Sequence, residues 1–290
     1  MSTTFQLDTS TSRANPTPQV MRRLTVPKIR QRKQNGVTDQ PLVMLTAYTA
    51  RQAQLLDAHC DLLLVGDSLG QVIYGLPSTI PVTLDMMANH AAAVVRGSYH
   101  AVVVVDMPFG SYEASPSQAF ESAAYLLKQS GAAAVKLEGG EAMAPTAAFL
   151  IQRGIPVMGH VGLTPQAVNV LGGYGARGRS DSEAAKIIAD AEALDKAGTF
   201  AIVVEGVVEP IAIDTTKAVS CPTIGIGASA RCDGQVLVTE DMLGMFERVP
   251  RFVKVYEDMA GIIEKTVTAY AEEVRDRSFP GEEQTYQPKG

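Results

Sequence analysis

Short apolar runs recur along the chain, and segments with helical spacing separate them. Runs at 41–48, 62–65, 102–105, 134–138, 155–158, 201–205, 222–227 and 252–256 are rich in Val, Ile and Leu, as expected of strands buried on both faces. Helical spacing follows at 50–59, 84–96, 182–196, 210–218 and 259–274, with another segment running from Gly139-Gly140 to Arg153. Thr83 is placed to cap the second of these, and Ser115-Pro116 opens a helix that Gly131 stops. Residues 25–35 predict a short basic helix or arm, and a helical piece follows Thr164-Pro165 in the Gly-rich loop 161–179. Eight strands alternating with helices predict a single-domain α/β protein, a (β/α)₈ TIM barrel. A doubly wound open sheet is the competing architecture, but it concentrates its ligand at one switch point. Here nearly every strand exit carries polar chemistry, which favours closure.

The run 62–65 ends in Asp67-Ser68, and the run 102–105 ends in Asp106. Lys136 and Glu138 close the next strand, and Glu205 closes the one at 201–205. A barrel gathers such strand ends at one rim, where active sites of this fold lie. Asp67 and Asp106, with Glu138 beside them, suit a Mg²⁺ site, because that ion takes oxygen ligands and keeps several waters. Lys136 and Glu138 are two apart and share a face, so the lysine points toward the same site and suits an anionic substrate. Glu205 is a candidate general base, and His160 a fifth rim group of auxiliary role. Each has a structural alternative: a loop-capping Asp, an ion-paired Lys, a rim salt bridge at Glu205, a hydrogen-bonded His.

Composition narrows the function classes. The net charge of −6 argues against a nucleic-acid surface, and the absence of Trp removes one kind of base-stacking platform. No apolar run approaches the roughly 20 residues that span a bilayer. Residues 1–16 have no apolar core and suggest a disordered tail ahead of a catalytic barrel at 17–290, so a cytoplasmic location is expected. Cys60, Cys221 and Cys232 form neither a disulfide framework nor a zinc motif. Gly173-Tyr174-Gly175-Ala176-Arg177-Gly178 matches a dinucleotide fingerprint but follows a loop, and Gly225 to Ala230 lacks the ribose-binding acid. Both read as turns.

Several blocks recur in order: Val65-Gly66-Asp67-Ser68-Leu69-Gly70, Asp106-Met107-Pro108-Phe109, Lys136-Leu137-Glu138-Gly139-Gly140 and Gly159-His160-Val161-Gly162-Leu163-Thr164-Pro165-Gln166. Gly225-Ile226-Gly227-Ala228, Asp233-Gly234-Gln235 and Pro280-Gly281-Glu282-Glu283 follow. Together, over about residues 24–286, the chain resembles the ketopantoate hydroxymethyltransferase family of the phosphoenolpyruvate mutase and isocitrate lyase superfamily. The resemblance implies transfer of a hydroxymethyl group from 5,10-methylenetetrahydrofolate to 3-methyl-2-oxobutanoate. The product would be 2-dehydropantoate, in pantothenate biosynthesis, formed through a Mg²⁺-stabilised enolate. It implies metal ligands at Asp67 and Asp106 with Glu138 in the metal shell, oxoacid contacts at Asp67, Ser68, Asp106 and Lys136, and a proton acceptor at Glu205. A homo-oligomer, often a decamer, is implied as well. The chain departs from the family pattern at Gly206-Val207-Val208, Gly175, Leu76-Pro77 and Gln284-Thr285, none of which is a proposed metal or proton-transfer group. The rival readings are a lyase or mutase of the same superfamily acting on another 2-oxoacid, and a non-catalytic oxoacid-binding barrel.

Overall fold

The structure, a computed structural model, describes residues 23–34, 37–38 and 40–288; the expected tail at 1–16 lies outside them. Among the described residues, eight parallel strands close into a barrel in sequence order. They are β1 (Leu42–Thr46), β2 (Leu62–Val65), β3 (Val102–Asp106), β4 (Ala134–Lys136), β5 (Val157–Gly162), β6 (Ala201–Glu205), β7 (Thr223–Ile226) and β8 (Gly234–Leu237). β8 pairs with β7 on one side and β1 on the other, which completes the (β/α)₈ barrel.

The last strand corrects the sequence expectation. Residues 252–256 form no strand; they belong to a loop whose far end is pinned by Tyr256 N–H donating to Met242 O at 2.9 Å. The true β8 begins with Gly234-Gln235, which carries little apolar signal. Gly234 is required by packing: a Cβ there would lie 2.6 Å from Leu42 O, so only glycine lets β8 approach β1. β5 also extends further than its apolar run, to Gly162, and places His160 inside the strand.

Alternate strand residues separate two cores. Leu42, Met44, Leu62, Leu64, Val102 and Val104 point inward with their counterparts on the later strands. Leu63, Val65, Val103, Val105, Val135 and Val157 point outward beneath the helices. This period of two carries through to the strand ends, so Asp106, Lys136, His160 and Glu205 continue the inward series. The N-terminal end of the barrel is closed. Ile29, on the helix Val26–Arg30, is buried with the interior residues. Lys33 pairs with Asp233 at 3.1 Å, and Arg30 reaches the carbonyl of Gly198 at 3.2 Å. Ligands therefore meet the barrel at its other end.

The surrounding helices start where the capping signals placed them. Thr83 accepts from Met86 N–H to open Leu84–Gly97, and Ser115 accepts from Gln118 N–H to open Pro116–Ser130, which Gly131 ends at φ 74°. Cys60, Cys221 and Cys232 are buried free thiols. No helix among the described residues is long and apolar enough to cross a membrane.

Asp57 fixes the turn that feeds β3. Its carboxylate accepts from Ser98 Oγ at 2.6 Å, from Ala101 N at 2.9 Å, and from Tyr99 N and His100 N at 2.8 Å each. Burial pushes its pKa up, but these hydrogen bonds outweigh burial and hold it below the usual carboxylate range. A depressed folded-state pKa stabilises the fold fully above the unfolded value and less as pH falls through the folded one. Asp57→Asn should therefore lower stability at pH 7 by roughly 1–3 kcal/mol. The difference from wild type should shrink below about pH 4, the unfolded value. Thermal unfolding at pH 7 and pH 3 measures both.

Candidate active site

The open end of the barrel leads into a cavity of about 1360 Å³. Asp67, Ser68, Asp106, Lys136, Glu138, His160 and Glu205, the site residues proposed from sequence, all line it. They arrive there for a simple reason. Asp106, Lys136 and Glu205 end their strands and His160 lies within β5, all four at inward positions, while Asp67, Ser68 and Glu138 lie just beyond β2 and β4. Asp106 and Lys136 are direct partners in the β3–β4 register.

Lys136 Nζ lies 3.0 Å from Asp106 Oδ1. The approach is poorly angled for a hydrogen bond, and Asp106 Oδ1 is a buried oxygen with no hydrogen-bond donor. Asp106 Oδ2 accepts from Asp67 N–H at 3.0 Å, which ties the β2 exit to β3. Burial weakens the lysine's charge, but Asp106, Glu138 and Asp67 outweigh it and raise the pKa, so Lys136 is an ammonium.

His160 stands between two carboxylates. Its Nδ1 is 3.4 Å from Glu138 Oε1, and its Nε2 is 3.1 Å from Glu205 Oε2. Burial and Lys136 pull its pKa down; Glu138 and Glu205 prevail and lift it to about 9, so the ring is an imidazolium at neutral pH. Lys136 Nζ, 3.3 Å from Nδ1, is then a repulsive neighbour rather than a hydrogen-bond partner.

Asp67 is the carboxylate with least compensation. Desolvation, with Asp106 and Glu138 nearby, pushes its pKa up to about 7. Four carboxylates thus face two cationic side chains, and a bound cation would relieve the excess. Among the described residues no three His, Cys, Asp or Glu side chains form a ready metal cage. The donor set that fits is smaller: Asp67 and Asp106 offer oxygens, which suits an ion that completes its shell with water and substrate. Glu138 already accepts from Gln166 N–H at 3.0 Å and faces His160, so it contributes charge more readily than a ligand oxygen.

Gln166 and Tyr112 were not singled out as site residues from the sequence. Gln166 Nε2 donates to Asp67 Oδ2 and to Met107 O, both at 2.9 Å. Its Oε1 accepts from Tyr112 O–H at 2.7 Å, and Tyr112 Oη accepts from Glu138 N–H at 3.2 Å. That bond fixes the amide's orientation, because the flipped amide would turn its oxygen onto two acceptors. Gln166 stands in a sequence block matched above, but an uncharged amide in a loop gives no chemical signal of its own. Tyr48 O–H shares a 2.8 Å hydrogen bond with Ser68 Oγ and fixes that hydroxyl at the cavity edge.

Residues 23–282 match the family described as ketopantoate hydroxymethyltransferase. A 3-methyl-2-oxobutanoate hydroxymethyltransferase of Novosphingobium aromaticivorans is 82% identical over 289 residues, covering all of both chains. One from Sphingopyxis alaskensis is 71% identical, covering 98% of this chain and 97% of its own. Among solved structures, 2,3-dimethylmalate lyase, a PEP mutase/isocitrate lyase superfamily member, aligns at TM-score 0.56 and 14% identity, covering 90% of this chain and 92% of its own. Phosphonopyruvate hydrolase in complex with oxalate and Mg²⁺ aligns at TM-score 0.57 and 10% identity, covering 90% and 93%. These two likenesses speak for the barrel fold.

The Gln166 contacts generate a prediction. Gln166→Met keeps the side-chain length and removes both the donor to Asp67 and the acceptor for Tyr112. Mn²⁺ titration of the folded variant should show divalent-cation affinity falling about tenfold, within the 10- to 100-fold range for partners that orient ligands. Unchanged affinity would mean that Asp67 holds its position without Gln166.

Proposed function

The chain belongs to the ketopantoate hydroxymethyltransferase family, and we propose that it transfers a one-carbon unit from 5,10-methylenetetrahydrofolate to 3-methyl-2-oxobutanoate. The observation that carries this reading is the convergence, at one buried barrel end, of an oxygen donor pair, an ammonium and a carboxylate base. Mg²⁺ bound at Asp67 and Asp106 would polarise the keto group and offset the charge that develops on its oxygen.

The protein's own groups do the rest. Lys136 Nζ and Ser68 Oγ are the donors for the oxoacid carboxylate, and burial strengthens the charge-assisted contact. Glu205 accepts the proton from the carbon beside the keto group, and the C–H electron pair moves toward the keto oxygen. His160, 3.1 Å from Glu205 Oε2, holds that carboxylate in place from within the barrel. The carbon then attacks the folate-borne one-carbon unit; tetrahydrofolate departs and water supplies the hydroxyl oxygen. A positioned base contributes about 10²- to 10⁴-fold to such a step.

A homo-oligomer, the decamer that the family resemblance implies, is part of the proposal. The helix Met259–Asp276 supports it: Ile263, Val267, Tyr270 and Val274 fall on one face at helical spacing and are 44–57% exposed. An apolar stripe of that kind marks an interaction surface. Light scattering on the eluting protein should show one large homo-oligomer. An active monomer at micromolar concentration would refute the assembly.

Turnover with both substrates, read as 2-dehydropantoate formed, tests the reaction itself. Glu205→Gln retains shape and removes the base, so kcat should fall by about 10²- to 10⁴-fold while oxoacid affinity changes little. Lys136→Ala should instead weaken oxoacid binding first, since a charge-assisted contact is lost. Equal loss of binding in both variants would place Glu205 among the substrate holders and leave the base to be found elsewhere.

A further inference from the structure

The cavity is larger than its floor chemistry requires. At about 1360 Å³ it exceeds the roughly 300–1,000 Å³ typical of a pocket for one drug-sized ligand, and a five-carbon oxoacid fills little of it. One part of the remaining wall comes from the β8 exit and the loop after it. Asp241, on the short helix Thr239–Met242, lines the cavity together with Phe246, Arg248, Arg251 and Phe252.

The loop 245–255 is held over the barrel mouth from both ends. Tyr256 N–H donates to Met242 O at 2.9 Å, and Met259 N–H to Leu243 O at 3.0 Å. Gly227, at φ 58°, receives the ring of Phe252: a Cβ there would sit 2.7 Å from Cδ1 of that ring. The aromatic side chain thereby lies directly on the β7 exit. Phe246 and Phe252 are each 40% exposed, flat apolar surfaces left open on the cavity side.

Charge on this wall is uncompensated. Arg248 and Arg251 are exposed, and neither has an ion-pair partner among the described residues. That is notable in a chain of net charge −6. Asp241 is half-buried, with no hydrogen bond to its carboxylate among the described residues, and burial raises its pKa. Burial grades outward along this wall, from Asp241 to the two arginines at the lip.

We infer that this wall is the subsite for the folate co-substrate, with Asp241 accepting from the pterin's amino and lactam N–H edge, Phe246 and Phe252 flanking the aromatic rings, and Arg248 and Arg251 binding the glutamyl carboxylates. The inference rests on the proposed folate donor. The burial gradient sets the polarity. The pterin carries the reacting carbon and must lie deep, beside the oxoacid, whereas the glutamyl tail is dianionic and stays in contact with water. Arg–carboxylate contacts suit the lip, where guanidinium keeps its charge and pairs in a fork. Poly-γ-glutamyl tails, which add a carboxylate per unit, should be favoured at the same place.

Steady-state kinetics of the full-length enzyme with the mono- and triglutamate forms of 5,10-methylenetetrahydrofolate test the assignment. The double variant Arg248→Ala/Arg251→Ala should raise the donor KM by about tenfold or more, as expected when charged hydrogen bonds are lost. It should also lose any preference for the triglutamate, while the KM for 3-methyl-2-oxobutanoate stays within about twofold, the size of an effect too small to represent a lost hydrogen bond. Asp241→Asn should raise the KM of both donor forms equally, since the pterin is common to them. A donor KM unchanged in the double variant of an otherwise active enzyme overturns the subsite and leaves the folate reaction standing. Wild-type protein that makes no product from either donor form overturns both.

Discussion

The energetics of the molecule turn on charges buried at the upper end of an apolar tube. Asp67, Asp106, Glu138 and His160 are each at most 6% exposed, and Lys136 is 5% exposed. Two unit charges about 4 Å apart interact by about 4 kcal/mol at an effective dielectric near 20, so the neighbours decide how Asp67, Asp106, Lys136 and His160 ionise. Lys136 answers Asp106, and His160 answers Glu138 and Glu205. Asp67 is left with an amide partner and two carboxylate neighbours, and its pKa rises to about 7. The arrangement is short of positive charge by design of its donor set, and a divalent cation with an anionic, chelating substrate would balance it. Tyr112 and Gln166 add neutral hydrogen bonds, which fix the carboxylates without cancelling their charge.

The barrel makes such a cluster tolerable by confining it. Below the charged end, the interior is filled by Leu42, Met44, Leu62, Leu64, Val102 and Val104, and Ile29 seals the base. The catalytic-end charges therefore gather where the alternating strand pattern reaches the open rim, while the buried Lys33–Asp233 pair lies at the closed base. The same alternation made much of the site legible in the sequence. An apolar run that stops at Asp106, or passes through Lys136 to Glu138, announces a strand end and the chemistry it carries. Once eight such runs are arranged in a ring, their ends must converge, and the proposed residues line one cavity.

What the pattern hid has physical causes. β8 carries Gly234 and Gln235, chosen for close approach to β1 and for an outward hydrogen bond to Ser229 O at 2.8 Å, so its hydropathy is that of a loop. Residues 252–256 show the opposite mismatch: Phe252 walls the cavity and packs on Gly227, and Val255 lies against Gly244, so their apolar side chains serve loop packing and not a sheet. His160 was visible, but its place between two carboxylates depends on strand pairing across β4, β5 and β6. Gln166 acts through geometry alone. Neither its charge nor its hydropathy distinguishes it from a surface amide.

The two kinds of legibility correspond to two parts of the enzyme. Solved barrels with 10–14% identity and TM-scores of 0.56–0.57 show that the strand frame survives almost complete replacement of its sequence. A frame that tolerant leaves reaction chemistry to strand ends, whose direction the register fixes, and recognition of bulky partners to loops beyond it. Asp106, Lys136, His160 and Glu205 occupy register positions, and moving any of them by one residue would turn it out of the barrel. Asp241, Arg248 and Phe252 carry no such constraint; their positions depend on loop closure between residues 242–244 and 256–260. Changes there leave the floor's charge balance intact. On the proposed reaction, the mouth would therefore adapt to the size and charge of the folate donor while the floor retains Glu205 for the oxoacid's proton.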